Sequence, residues 1–232
     1  MNDSGIFNPD IDLTAHRKTF ADKGYVRIEN VLLPEQAERI ETALASGVPW
    51  ELCYLTESGP VSIPQSEYRA FGPAQAADLN QAILKQAKQG FAYFYYRSDL
   101  VRSENETLRA FYSELSGERC LGMFRYLTGE PGIRTVNGQV ACFTAACFLK
   151  RHQDVTDKEK RIAAYVFSFT RNWDPDWGGH LHVLDSQLRN TDVFEPSFNS
   201  LTIFRVPRIH FVSQVCNYAM GARYTATGWM LA

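Results

Sequence analysis

From about Ile133 the chain changes texture, and short runs rich in β-branched and aromatic residues follow one another at 140–149, 162–169, 180–184, 201–206, 209–215 and 224–231. Runs of this length, separated by Gly, Pro, Asn and Asp, read as strands. Before them the chain reads mainly as helix. Residues 10–23 carry Leu13, Arg17, Phe20 and Ala21 at helical spacing and stop at Gly24; Pro34 opens a second helix whose Ala37, Ile40 and Leu44 share a face. A strand at 25–28 joins the two, and further helices are expected near 75–89 and 104–116. Helices first and many strands later predict a mainly β fold, with the N-terminal helices packed outside a β sandwich or barrel.

The 232 residues, 45% hydrophobic and 13% aromatic, suffice for one domain with a substantial core, helix-rich over 1–130 and strand-rich over 131–232. With 24 basic against 26 acidic residues the net charge is -2, so no cationic field calls for nucleic acid or a membrane as partner. Cys53, Cys120, Cys142, Cys147 and Cys216 are odd in number and form no C-x-x-C pair, which predicts reduced core thiols in a cytoplasmic protein and argues against a structural zinc site. The acidic start lacks the apolar stretch of a signal peptide, and the longest apolar-rich stretch, 135–149, is too short to span a bilayer as a helix. Residues 57–73, rich in Pro, Gly and Ser, are expected as a long loop, either a binding flap or a passive surface loop.

The strand-rich part carries a dispersed set of polar residues: His152-Gln153-Asp154, His210, and Arg223-Tyr224-Thr225. An extended strand sends residues i and i+2 to one face, so His152 and Asp154 can aim at one point. Two imidazoles and a carboxylate on one side of a metal are the facial arrangement of non-haem Fe(II) sites, which leave the other side open. His180 and His182 form a second same-face pair that could bind metal in a cupin-like site. Alternatively, they are ordinary strand residues after Gly178-Gly179. The aromatic run 91–96 is expected to pack in the core more than to line a pocket, and no P-loop, G-x-G-x-x-G or G-x-S-x-G motif is present.

The order of elements carries more than any one of them. His152-x-Asp154 is followed by a strand led by Arg161, then Trp173, Gly178-Gly179-His180-Leu181, His210-Phe211-Val212, and Arg223-Tyr224-Thr225 ahead of Gly228-Trp229. This series resembles the prolyl-4-hydroxylase-like branch of the Fe(II)- and 2-oxoglutarate-dependent dioxygenases. The resemblance implies a double-stranded β-helix (jelly-roll) core, with His152, Asp154 and His210 as iron ligands and Arg223 on the distal carboxylate of 2-oxoglutarate with Thr225 beside it. It also implies Fe(II), 2-oxoglutarate and dioxygen as reactants, ascorbate as an auxiliary reductant, and hydroxylation of an unactivated C–H bond with release of succinate and CO2. Proline, free or peptidyl, is the substrate suggested, with another amino acid or small metabolite, or a non-catalytic cupin-like binding role, as the alternatives. Ser168 and Phe143 stand where many relatives carry tyrosines, which implies fewer hydroxyl contacts to the cosubstrate or a different keto acid. Arg125, Arg134, Arg205 and Arg208 are the candidate anchors for a substrate carboxylate.

Overall fold

The computed structural model describes residues 5–232. Asp12 accepts hydrogen bonds from the N–H groups of Thr14 and Ala15 at 3.0 and 3.1 Å, so helix α1 begins at the residue after this cap and spans Leu13–Lys23. Gly24, at φ 74°, ends it in the left-handed conformation and turns the chain into β1 (Tyr25–Glu29). Helix α2 (Pro34–Ser46) buries the expected face of Ala37, Ile40 and Leu44.

Residues 57–73 are not the open loop that their composition suggests. Strands β2 (Glu51–Thr56) and β3 (Gly59–Pro64) form a hairpin in register from Glu51↔Pro64 to Thr56↔Gly59, and the short helix α3 (Gln65–Arg69) follows. Pro60 and Pro64 are compatible with a strand because β3 pairs only with β2 and needs no donors on its other edge. After α4 (Pro73–Gln89), strand β4 (Tyr93–Asp99) pairs with β2, and Tyr68 of α3 packs edge-on against Phe94 at 6.1 Å. The segment is thus an extension of the sheet, tied down by a ladder and an aromatic contact. Helices α5 (Glu106–Ser116) and α6 (Glu118–Thr128) and the short β5 (Thr135–Val136) complete this part.

The remaining strands are β6 (Gln139–Phe143), β7 (Phe148–His152), β8 (Arg161–Phe169), β9 (Leu181–Leu184), β10 (Asn190–Phe194), β11 (Phe198–Arg205), β12 (His210–Val212) and β13 (Arg223–Leu231). Their antiparallel pairings are nested: β6 with β13, β7 with β12, β8 with β11 and β9 with β10. The eight strands therefore form one long hairpin rolled on itself. Cross-ladders β8 to β13 and β12 to β9 close the roll into two walls, β11-β8-β13-β6 and β7-β12-β9-β10. This is the double-stranded β-helix. Strand β4 bridges the walls through β6 and β7, and β1 extends the first wall at β11.

Alternation along β8 and β13 sorts the interior. Ala163, Tyr165, Phe167 and Phe169 of β8, with Ala226 and Met230 of β13, meet Phe20, Leu44, Phe111 and Phe124 from α1, α2, α5 and α6 in one apolar cluster. A second cluster takes in Phe94, Tyr96, Phe148, Leu181 and Val212, with Ile83 of α4. On β13 the opposite face, Arg223, Thr225, Thr227 and Trp229, looks into an open cavity. Gly228 has no room for a side chain: an added Cβ would sit 2.0 Å from the Asn137 carbonyl oxygen. Gly228→Ala is expected to destabilise the protein by about 1–3 kcal/mol through overpacking, read as a lowered urea midpoint.

Candidate metal and cosubstrate site

Strand pairing brings the two ligand histidines together, since His210 of β12 stands directly opposite His152 of β7. Asp154 joins them by a different route from simple strand alternation. Strand β7 ends at His152, and Asp154 adopts a left-handed φ of 61°, with its carbonyl oxygen accepting from Arg161 Nη1 at 3.1 Å. Arg161 is itself fixed by Glu159 at 2.7 Å and by stacking over the Trp229 ring at 3.5 Å. The Asp154 carboxylate thereby lies between the imidazoles, Oδ1 at 3.3 Å from His152 Nε2 and Oδ2 at 3.5 Å from His210 Nε2.

Each imidazole places its Nδ1 on a carbonyl of its own chain two residues back, His152 on Lys150 at 2.9 Å and His210 on Arg208 at 2.8 Å. A carbonyl can only accept, so Nδ1 carries the proton and Nε2 presents its lone pair to the point shared with Asp154. Ligand atoms of the three residues lie within 4.8 Å of one another, the separation that a single bound ion needs. Burial, and then the neighbouring His152, push the His210 imidazole down to about 4, so it is neutral and ready to ligate at pH 7. Burial works to raise the Asp154 carboxyl, but the neighbouring His152 and His210 outweigh it and hold Asp154 below its ordinary value.

The His210 shift makes a prediction for the metal-free protein. In the unfolded chain this side chain takes up a proton near 6.5, whereas in the fold it stays neutral down to about 4. The unfolded state therefore binds more protons between these values. Its contribution is full above pH 6.5 and declines as the pH falls, by about 3 kcal/mol in all by pH 4. Urea midpoints of the metal-free protein across that window should fall, and His210→Phe should flatten the dependence.

A cavity of about 290 Å³ opens on the triad, and Arg223 and Thr225 of β13 line it with His152, Asp154 and His210. Arg223 is 5% exposed, its Nε has no hydrogen-bond partner, and it forms no ion pair among the described residues; its guanidinium carbon lies 5.0 Å from the centre of the Phe143 ring. Burial, and then Arg27, lower its pKa to about 10, which still leaves it charged at neutral pH. A buried cation without a counter-ion is costly, so a site so built is complementary to an anion. Thr225, 2% exposed, is two residues along the same face.

The structure also shows what stands in place of the absent tyrosines. Ser168 is buried, its Oγ accepting from Ser197 N at 3.3 Å, and it does not line the cavity. Phe143 does line it, and Tyr95 stacks on Phe143 with ring centres 5.0 Å apart and planes 2° from parallel. The aromatic run thus splits by strand alternation: Phe91, Tyr93 and Tyr95, with Arg97 after them, line the cavity, while Phe94 and Tyr96 do not, and Tyr95 and Tyr96 are both buried in the second cluster with Phe94. This two-residue period was the available signal for the cavity-facing set.

Four arginines considered as substrate anchors lie away from the cavity, as do His180 and His182. Arg125 pairs with Glu118, Arg205 with Glu130, and Arg208 donates to the Lys23 carbonyl; none of these, nor Arg134, lines the cavity. Arg97, Gln139, Arg161 and Thr227, with Tyr93 and Tyr95, are among the cavity's other polar residues. His182 stacks on Phe211 at 4.2 Å and meets Asn190, so it is occupied as a strand residue. Among the described residues, His152, Asp154 and His210 form the one group of three or more potential ligands.

Comparison with known proteins agrees with this geometry. The family model for the 2OG-Fe(II) oxygenase superfamily matches residues 138–231, the span of the rolled hairpin. A prolyl-4-hydroxylase from Pseudomonas putida superposes with a TM-score of 0.61 at 15% identity, covering 94% of this chain and 98% of that one. A prolyl hydroxylase from Trichoplax adhaerens, in complex with a hypoxia inducible factor peptide fragment, gives 0.60 at 18% identity, covering 94% and 88%. The non-haem α-ketoglutarate-dependent epimerase SnoN of nogalamycin biosynthesis gives 0.58 at 13% identity, covering 95% and 83%. A comparison with the curated proteins finds no sequence match. The rolled hairpin and the facial triad define a 2-oxoglutarate-dependent dioxygenase. Residues 138–231 thus carry a 2OG-Fe(II) oxygenase domain in a prolyl-4-hydroxylase-like fold, and this family works with Fe(II), 2-oxoglutarate and dioxygen.

Proposed function

We propose that this oxygenase hydroxylates an unactivated C–H bond of proline, free or within a peptide, with His152, Asp154 and His210 holding Fe(II) and Arg223 with Thr225 holding 2-oxoglutarate. The observation that carries the reading is a buried, unpaired Arg223 in the same cavity as a three-ligand cluster. Fe(II) and 2-oxoglutarate bound there supply an oxidant from dioxygen, releasing succinate and CO2 as one oxygen atom enters the substrate.

The chain's own residues then have separable tasks. The Nδ1 contacts to Lys150 and Arg208 hold the imidazole planes, and Arg161 holds the Asp154 backbone, so the ligand set is formed before anything binds. Arg223 offers a planar fork to the distal carboxylate and so sets which end of the keto acid points to the metal. The apolar wall of Phe143, Leu181, Phe204 and Val212 limits water at the reacting centre. Strands β1 to β4 hydrogen-bond into the same sheet as the roll, which favours the whole chain acting as one domain, and the free cysteines fit a cytoplasmic setting.

A second reading, oxidation of another small molecule, draws support from the likeness to an epimerase, because a shared fold leaves the substrate open. The deciding experiment is succinate release measured with Fe(II) and 2-oxoglutarate against free L-proline, other amino acids and proline-containing peptides. Stimulation confined to proline compounds is expected. Stimulation by a non-proline compound alone would replace proline as the substrate.

A further inference from the structure

Beside the metal cavity lies a larger groove of about 670 Å³, and the two share Phe91 and Val212. Its apolar surface includes Leu84, Phe91 and Phe211, and its charged residues are Lys88, Lys150 and Arg151, with no acidic residue in the lining. Leu84 and Phe91 are 52% and 42% exposed, so this surface offers large apolar side chains to a partner. Lys150 Nζ donates to the Ala87 carbonyl at the end of α4, and among the described residues none of the three cations forms an ion pair, whereas nearby Lys85 pairs with Glu57. In a chain of net charge -2 this is a local excess and not a consequence of composition.

We propose that the groove binds the segment of a peptide substrate that flanks the oxidised residue, and that this segment is acidic with apolar side chains. The inference rests on the hydroxylase reading above and names its substrate class. The inner cavity, at about 290 Å³, must also take the keto acid, so little more than one side chain of the substrate fits within it. The rest of the substrate has to leave past Phe91, whose ring centre is 5.6 Å from that of His152. A peptide has this form: one side chain turned inward and a chain continuing outward. Leu84, Phe91 and Phe211 would take its apolar side chains, and Lys88, Lys150 and Arg151 its carboxylates.

The test uses the iron-loaded full chain with 2-oxoglutarate and a fluorescein-labelled peptide of Glu, Leu and Pro. A matched peptide with Lys in place of Glu and a small anion, N-acetyl-glutamate, serve as comparisons. The acidic peptide should bind in anisotropy titrations, the basic one at least tenfold more weakly, and high salt should weaken the acidic complex. The double variant Lys88→Glu, Arg151→Glu should lower acidic-peptide affinity by about tenfold while leaving substrate-free succinate release unchanged. Equal binding of both peptides, no binding of either, displacement of the peptide by the small anion at equal concentration, or indifference to the charge reversal would each overturn the groove assignment. The anaerobic charge-transfer band of Fe(II) with 2-oxoglutarate reports the oxygenase site separately: its presence with any of those outcomes rejects the groove alone, and its absence rejects the catalytic reading.

Discussion

His210→Ala should yield a folded protein that neither retains Fe(II) nor forms succinate, with turnover reduced by more than about 100-fold. Loss of groups that merely orient a ligand already costs 10–100-fold, and here one of only three ligands is removed. The fold should survive, because His210 belongs to neither apolar cluster and the eight-strand ladder does not depend on a metal. Iron content by elemental analysis, succinate yield and circular dichroism of the purified variant check this. His152→Ala and Asp154→Ala should behave alike, since His152 and Asp154 supply the other two ligand atoms at the shared point. Normal iron content and activity in any one of the three would remove that residue from the set.

Arg223→Ala should instead separate cosubstrate from metal. The variant loses the charge-assisted fork to the distal carboxylate, worth about 1.5–3 kcal/mol, so the KM for 2-oxoglutarate should rise by about 10- to 150-fold. Iron binding should stay near normal, because Arg223 has no hydrogen bond or ion pair with the triad and projects from β13, a strand that carries none of the ligands. Arg223→Lys should fall between, keeping the charge while losing the planar fork. Unchanged 2-oxoglutarate dependence in Arg223→Ala would mean that another group anchors the keto acid.

Much of the candidate site was legible in the sequence because its residues other than Asp154 lie at strand positions whose neighbours announce them. Arg223 and Thr225 share a face by simple alternation, and His210 opens the short strand β12 that pairs back onto β7. The fold class was legible for the same reason, since Tyr165, Phe167 and Phe169 mark one face of β8 and Ala164 and Val166 the other.

What could not be read has identifiable physical causes. Hairpin β2–β3 hides behind Pro60 and Pro64, which are tolerated only because β3 is an edge, and edge status is a property of the assembled sheet. Strand β10 shows no apolar pattern because Asn190, Thr191 and Val193 are exposed at the end of its wall. Helix α6 did carry a signal, Leu121, Phe124 and Leu127 at helical spacing, but it is separated from α5 by Gly117 alone. Asp154 reaches the triad through a left-handed backbone held by Arg161, a contact between a loop and the next strand that i, i+2 reasoning does not contain.

The central claim, that His152, Asp154 and His210 hold Fe(II) with 2-oxoglutarate anchored beside it by Arg223, is tested most directly by an anaerobic spectrum. Fe(II) and then 2-oxoglutarate are added to the purified protein, to His210→Ala and to Arg223→Ala. The native protein should develop a weak visible metal-to-ligand charge-transfer band that saturates with the keto acid. The band should be absent in His210→Ala and should require much more 2-oxoglutarate in Arg223→Ala. A native protein that binds Fe(II) yet shows no band at saturating 2-oxoglutarate, or an unaltered band in His210→Ala, would contradict the account.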